Sequence, residues 1–268
     1  MALPNGTVDA FLDALAACFR TSPELIGQTM SNVFSMRMIG NKTHGDLAEI
    51  AFAEFITQHL DGYSATHVGK DLFRAKTAEE DILVHAPGGV DIPVSLKAYG
   101  VGPLQLSTNK SSSMFAYLEQ NVGKAGTTDQ KAILAILDSP AFADFHSVNV
   151  LPLIYDEKKK LFNIIVFDVK AAYRSVQRVE YVSQGSGRKH PIYKFSTADG
   201  QYIFEVRYGD VAANALQRGL WTHTRNAGPF IKSLTGWMNY SINLPLLDVL
   251  SKLLVATEKT HIDVLKNI

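Results

Sequence analysis

One cysteine in 268 residues, Cys18, excludes an intrachain disulfide and a thiolate zinc cluster. It lies in the apolar run from Ala14 to Phe19, where it reads as a small buried hydrophobe rather than a reactive thiol. No uncharged apolar run approaches the ~18 residues of a membrane span. The N-terminus MALPNGTVDAFLDAL lacks the basic-then-apolar order of an export signal, so the expected location is cytoplasmic, with no membrane partner. There is no Walker A loop and no strand-linked G-x-G-x-x-G, which argues against a nucleotide cofactor. The eight histidines contain no i, i+4 metal-ligand pair, and neither internal repeats nor low-complexity segments occur.

What is present fits a globular chain: 46% hydrophobic and 19% charged residues suffice for a real core. The length suits a core with a smaller elaboration, divided here as 1–170 and 171–268 within one compact unit. Lys+Arg and Asp+Glu balance at 26 each, yet unevenly: residues 1–156 carry net −7, residues 157–207 net +5 and residues 208–242 net +2. An enzyme that binds a polyanion beside an acidic metal site has this distribution, and so does a neutral protein with scattered solvated charges.

Residues 7–19 form an amphipathic helix pattern with Thr7 as N-cap, and Ser22-Pro23-Glu24 starts a second helix. GDLAEIAFAEFITQHL has apolar residues at 47, 48, 51, 52, 55, 56 and 60, a 3.6-residue stripe with Glu49 at its border. From residue 71 the period shortens to strands, and Pro87-Gly88-Gly89 should turn Asp81–His85 back on Asp91–Tyr99 as antiparallel neighbours. Helices at 113–122 and 128–137, strands at 148–156 and 161–169, and a short helix at 168–176 follow. Then come three β-rich runs, a polar loop over 221–240 and a leucine-rich helix from 244 to 257. The fold class is α/β, a mixed central β-sheet flanked by helices, with a β-rich C-terminal region.

The chemistry concentrates at Glu79-Glu80-Asp81-Ile82-Leu83-Val84 and Ile92-Pro93-Val94-Ser95-Leu96-Lys97. Alternation puts Ser95 and Lys97 on one face of their strand, with Leu96 turned away. An acidic residue opening the neighbouring strand converges on them, and carboxylate oxygens with a lysine beside them suit Mg²⁺ and water activation. These segments resemble the PD-(D/E)xK nuclease superfamily, and within it the Type II restriction endonucleases. Glu49 on the preceding helix, Asp81 at the start of one hairpin strand and Ser95-Leu96-Lys97 on the next follow that family's order and spacing over residues 43–170. The resemblance implies a restriction-endonuclease-like core that cuts double-stranded DNA with Mg²⁺. Asp81 and Glu49 would hold the metal, Lys97 would position water, and Ser95 would bond a metal water or phosphate. Ser95 stands where the family has an acid and Glu80 where it has proline. The second carboxylate is then Glu49, Glu80 or Asp91, with Glu49 preferred; Asp91, directly after the turn, also suits a structural role.

Candidate DNA contacts are Gln105, Asn109 and Lys110 after the signature, the basic loop with Gln184, Arg188, Lys189 and His190, and His223, Arg225 and Asn226. Arginine reads guanine, and asparagine or glutamine reads adenine, by paired hydrogen bonds. Lys158, Lys159, Lys160, Lys170, Arg174 and Arg178 suit phosphates. A homodimer would match a palindromic site. Two other readings stand beside this one: a DNA-binding protein on a nuclease fold that has lost cleavage, and a serine hydrolase using S-x-x-K at Ser107 and Lys110, with Ser147-Val148-Asn149 and Lys259-Thr260.

Overall fold

The structure is a computed structural model that describes residues 6–39, 44–68, 81–99, 102–107, 113–147, 149–183, 190–208 and 219–245. Three helices open the chain: α1 (Thr7–Thr21), α2 (Pro23–Ile39) and α3 (His44–His59). Phe11, Leu15 and Phe19 recur every four residues on α1 and are all buried. The N-cap of α1 is Gly6 in a left-handed conformation, φ 88, rather than Thr7, which already belongs to the first turn. α3 packs on strands β1 (Ser64–His67), β2 (Ile82–Ala86) and β3 (Val90–Tyr99), with α2 against α3 and α1 against α2. Gly88 and Gly89, at φ 85 and 76, close the β2–β3 hairpin where side chains other than glycine's would be strained.

After β4 (Pro103–Ser107), helices α4 (Ser113–Asn121), α5 (Gln130–Leu137) and α6 (Ala143–Ser147) lead to β5 (Asn149–Asp156), which returns parallel to β3. A parallel return needs such a crossover, because a tight turn can only reverse the chain. β6 (Leu161–Phe167), α7 (Val169–Ser175), β7 (Arg178–Val182), β8 (Ile192–Ser196), β9 (Tyr202–Arg207) and β10 (Gly219–His223) follow. Two short strands, β11 (Ile231–Ser233) and β12 (Met238–Asn239), complete the described elements.

These strands form two sheets. The first is mixed, in the order β1-β2-β3-β5-β6-β11 with β12 also on β6; the second is antiparallel, in the order β4-β10-β9-β8-β7. The strands trade places across residue 170: β4 joins the second sheet, while β11 and β12 return to the first. One core lies between α1–α3 and the first sheet, with Phe11, Phe52, Ile56, Val84, Val94, Leu96 and Leu153. The other joins α4–α6 to the second sheet, with Phe115, Ile133, Phe142, Tyr193, Phe204 and Leu220; Val150 and Phe167 of the first sheet belong to it as well. A mixed α/β fold flanked by helices is thus what the chain forms. No described helix is long and apolar enough to cross a membrane.

Two expectations from the sequence need correction. SATH at 64–67 is a strand, β1, where no element was expected. The expected polar loop over 221–240 also holds β11 and β12, and residues 219–223 form β10, with Leu220 and Trp221 buried and paired with both β9 and β4 and Thr222 buried and paired with β4. The leucine-rich stretch beyond 245 and the run at 71–76 lie outside the described residues.

Asp168 ties α7 to β11: its carboxylate accepts from the Ala171 N–H at 2.9 Å as the helix cap and pairs with Lys232 Nζ at 2.6 Å. Burial pushes this carboxyl up, but the hydrogen bonds from Lys232 and Ala171 and the charges of Lys232 and Lys170 outweigh it, leaving it below its ordinary value. A lowered carboxyl stabilises the fold above the unfolded-state pKa of about 3.9 and loses that contribution as pH falls through the lower folded value. Asp168→Asn keeps an N-cap acceptor but removes the charge. Its stability deficit in urea titrations should be constant near neutrality and shrink as pH drops below about 4; Asp168→Ala should cost about 1 kcal/mol more through the lost cap.

Candidate active site

Asp81 stands one residue before β2, with both backbone groups engaged: its N–H donates to the Val94 carbonyl at 3.0 Å, and its carbonyl accepts from the Val68 N–H at 2.9 Å. Because β2 opens at Ile82, opposite Val94, β3 runs on beyond its neighbour. The Leu96 N–H finds its acceptor in the Asp81 side chain, Oδ2, at 2.8 Å. Ser95 Oγ donates to the same oxygen at 3.0 Å. The carboxylate therefore takes the place a strand carbonyl would fill.

Alternation sends Val94 and Leu96 into the helical core and Ser95 and Lys97 to the other face. Lys97 Nζ lies 3.6 Å from Asp81 Oδ2, with side chains 28% and 22% exposed. At that distance it is an ion pair rather than a hydrogen bond. Ser95 itself is buried, 1% exposed. A carboxylate fixed by an amide and a hydroxyl, with an ammonium within reach and part of its surface open, can present an oxygen to a cation while the lysine faces an anion.

Glu49 is placed differently. Its Oε2 lies 3.1 Å from His67 Nε2. His67 stands across from Ile82, a residue of the helical core, so this pair belongs to the helix-covered side and the Asp81 group to the opposite face. Among the described residues no three His, Cys, Asp or Glu side chains gather as a metal-ligand group. Glu80 lies outside the described residues, and Asp91 is engaged by His85, Oδ1 to Nδ1, at 2.7 Å.

Of the candidate DNA contacts, Asn109, Lys110, Gln184, Arg188 and Lys189 lie outside the described residues. Gln105 sits on β4 opposite Trp221. His190 is half-buried with its ring 6.1 Å from Tyr208. His223 ends β10 instead of lying in a loop, and its Nδ1 is buried with no hydrogen-bond partner among the described residues. Arg225 and Asn226 are exposed in the turn that follows. Of the S-x-x-K pair, Ser107 is buried at the end of β4. Cys18 is half-buried, and burial together with the Asp61 charge pushes its thiol up, away from reactivity.

Sequence reasoning missed His67, His85 and Thr66. Thr66 and His67 lie on β1, a strand too short for periodicity to show, and an isolated histidine has no spacing to betray it.

The relative strength of these contacts sets a test. Asp81→Ala leaves the Leu96 N–H and the Ser95 hydroxyl unpaired and should cost about 1–3 kcal/mol in urea unfolding. Lys97→Met removes only a partly exposed ion pair and should cost below about 1 kcal/mol. The reverse order would show that the lysine, not the strand amide, holds the carboxylate. In comparisons with protein-family models, curated proteins and solved structures nothing matches this chain, which leaves Asp81, Ser95 and Lys97 themselves to carry its functional reading.

Proposed function

We propose that this chain is a Mg²⁺-dependent endonuclease of the restriction type, hydrolysing phosphodiester bonds in double-stranded DNA. The observation that supports the reading is the convergence of Asp81, Ser95 and Lys97 at one end of the β2–β3 hairpin, on the face of the sheet away from α1–α3. The order of a helix followed by an acid-opened hairpin is the one on which the nuclease resemblance of residues 43–170 rests.

The donor set suits the metal in part. Magnesium takes hard oxygen ligands and is often held by one or two carboxylates, its remaining positions filled by water and substrate phosphate. Asp81 spends Oδ2 on Ser95, Leu96 and Lys97, while Oδ1 accepts no hydrogen bond from the described residues. Asp81 Oδ1 would be the ligand from this face, with Glu80 as the second carboxylate, since Glu49 is paired with His67 on the helix-covered side. Bound there, the metal would supply neutralisation of phosphate charge and acidification of water. Lys97, on the same face, would orient the attacking water and offset the charge growing on the phosphate. Ser95 keeps the Asp81 carboxylate in one orientation through its hydroxyl. Double-stranded DNA is the proposed partner, approached as a homodimer if the recognition site is palindromic.

A second reading follows from Ser95, which donates to Asp81 instead of adding a carboxylate: a DNA-binding protein that no longer cuts. Incubation of plasmid and phage DNA with the chain in Mg²⁺ or EDTA separates the two. The nuclease reading expects discrete fragments that require the metal and disappear in Lys97→Ala and Asp81→Asn, with gel-shift affinity retained. Intact DNA with every divalent metal, alongside a gel shift that weakens as salt rises, would establish the binding module instead. Neither cleavage nor binding would overturn both.

A further inference from the structure

The outward face of β1–β3 carries a second polar array, separate from Asp81. Thr66 Oγ1 lies 2.8 Å from His85 Nε2, and His85 Nδ1 lies 2.7 Å from Asp91 Oδ1. The strand register builds it: His85 stands directly between Ser64 and Asp91, and Thr66 lies diagonal to His85, opposite Leu83. All three side chains are open to solvent, His85 at 39% and Asp91 at 55%. His85 is four residues along β2 from Asp81, about 13 Å away.

The order of the contacts matters chemically. A carboxylate accepts but does not donate, so Asp91 fixes the ring proton on Nδ1 and leaves the Nε2 lone pair facing the Thr66 hydroxyl. A hydroxyl within hydrogen-bond reach of a base that is itself oriented by a third group is the pattern of an activated nucleophile.

We propose that Thr66 is a nucleophile activated by His85 and positioned by Asp91, and that it takes acyl groups from carboxylic esters with good leaving groups. Thr66 Oγ1 forms a bond to the acyl carbon while its proton passes to His85 Nε2. The carbon–oxygen bond to the leaving group breaks, and that group departs with the bonding pair, either as a stable anion or protonated by His85. Water then attacks the acyl-threonine ester with His85 again accepting a proton, so that ester and water become acid and alcohol. Because the array is open to water, its rate rests on general-base assistance, about 10²–10⁴-fold. Activated aryl esters are therefore the donor class it can use.

The test treats the full chain with p-nitrophenyl acetate and follows acetylation site by site by peptide mass spectrometry. Surface lysines in the same digest serve as internal controls. Thr66 should be acetylated in the wild type, and Thr66→Ser should remain reactive. His85→Ala and His85→Gln should slow Thr66 labelling by about 100-fold or more while lysine labelling and the far-ultraviolet dichroism stay unchanged. Asp91→Asn should slow it less, with partial recovery in Asp91→Glu. Lys97→Ala should leave it unchanged, which keeps this result independent of any nuclease activity. An unlabelled Thr66, or labelling as fast in both His85 variants as in the wild type, overturns the proposal.

Discussion

The Leu96 N–H points to the side of β3 where β2 has already reached its end, and the candidate site follows from how that donor is satisfied. Asp81 Oδ2 supplies the acceptor at 2.8 Å, and the Asp81 backbone is locked at the same time by Val94 and Val68. A buried amide without a partner costs about 1–3 kcal/mol, whereas a partly exposed ion pair contributes below about 1 kcal/mol. The strand amide therefore decides where the carboxylate sits, and Lys97 inherits its neighbour. Structure and chemistry share one side chain: the group that completes the ladder is also the carboxylate beside the lysine.

How far the sequence reveals this arrangement depends on the type of signal. The β2–β3 hairpin was legible because two glycines must take positive φ and the flanking runs alternate, which fixes both the register and the common face of Ser95 and Lys97. The helical stripe of α3 was legible for the same reason. What periodicity cannot convey is which sheet a strand joins. β4 and β10, more than a hundred residues apart, meet as neighbours, and β11 returns to the first sheet. Nor does spacing say which side of a sheet a helix covers, and so Glu49, correctly placed on its helix and nearly buried, pairs with a histidine on an unforeseen strand.

The charge surplus of residues 157–207 also changes meaning in three dimensions. Arg178 and Lys194 both reach Glu180, Arg207 bonds Glu205 and stacks over Trp221 at 4.2 Å, and Lys170 bonds Asp9. A row of facing residues, Gln105, Trp221, Glu205, Lys194 and Glu180, crosses the second sheet from edge to edge. Much of what the composition presents as a basic surface is thus one half of a lattice of opposite charges.

Pairing does not remove those cations from a role in binding, because the contacts differ in strength. Arg207 holds a carboxylate that is only 8% exposed and covers a buried tryptophan; extracting it would take a cation from Glu205 in a poorly solvated position, so it belongs to the fold. Lys170 and Arg178 have side chains about half exposed, 54% and 47%, and their pairs contribute at most about 1 kcal/mol, little enough for a phosphate to replace the carboxylate. Lys159, in the β5–β6 turn, gives up only a 3.9 Å ion pair with Asp156; the bonds from Lys158 and Lys159 to that carboxylate come from backbone N–H groups and do not engage the ammonium groups. Among the described residues a polyanion would therefore find its readily released contacts at Lys158, Lys159, Lys170 and Arg178 rather than along the charged row of the second sheet.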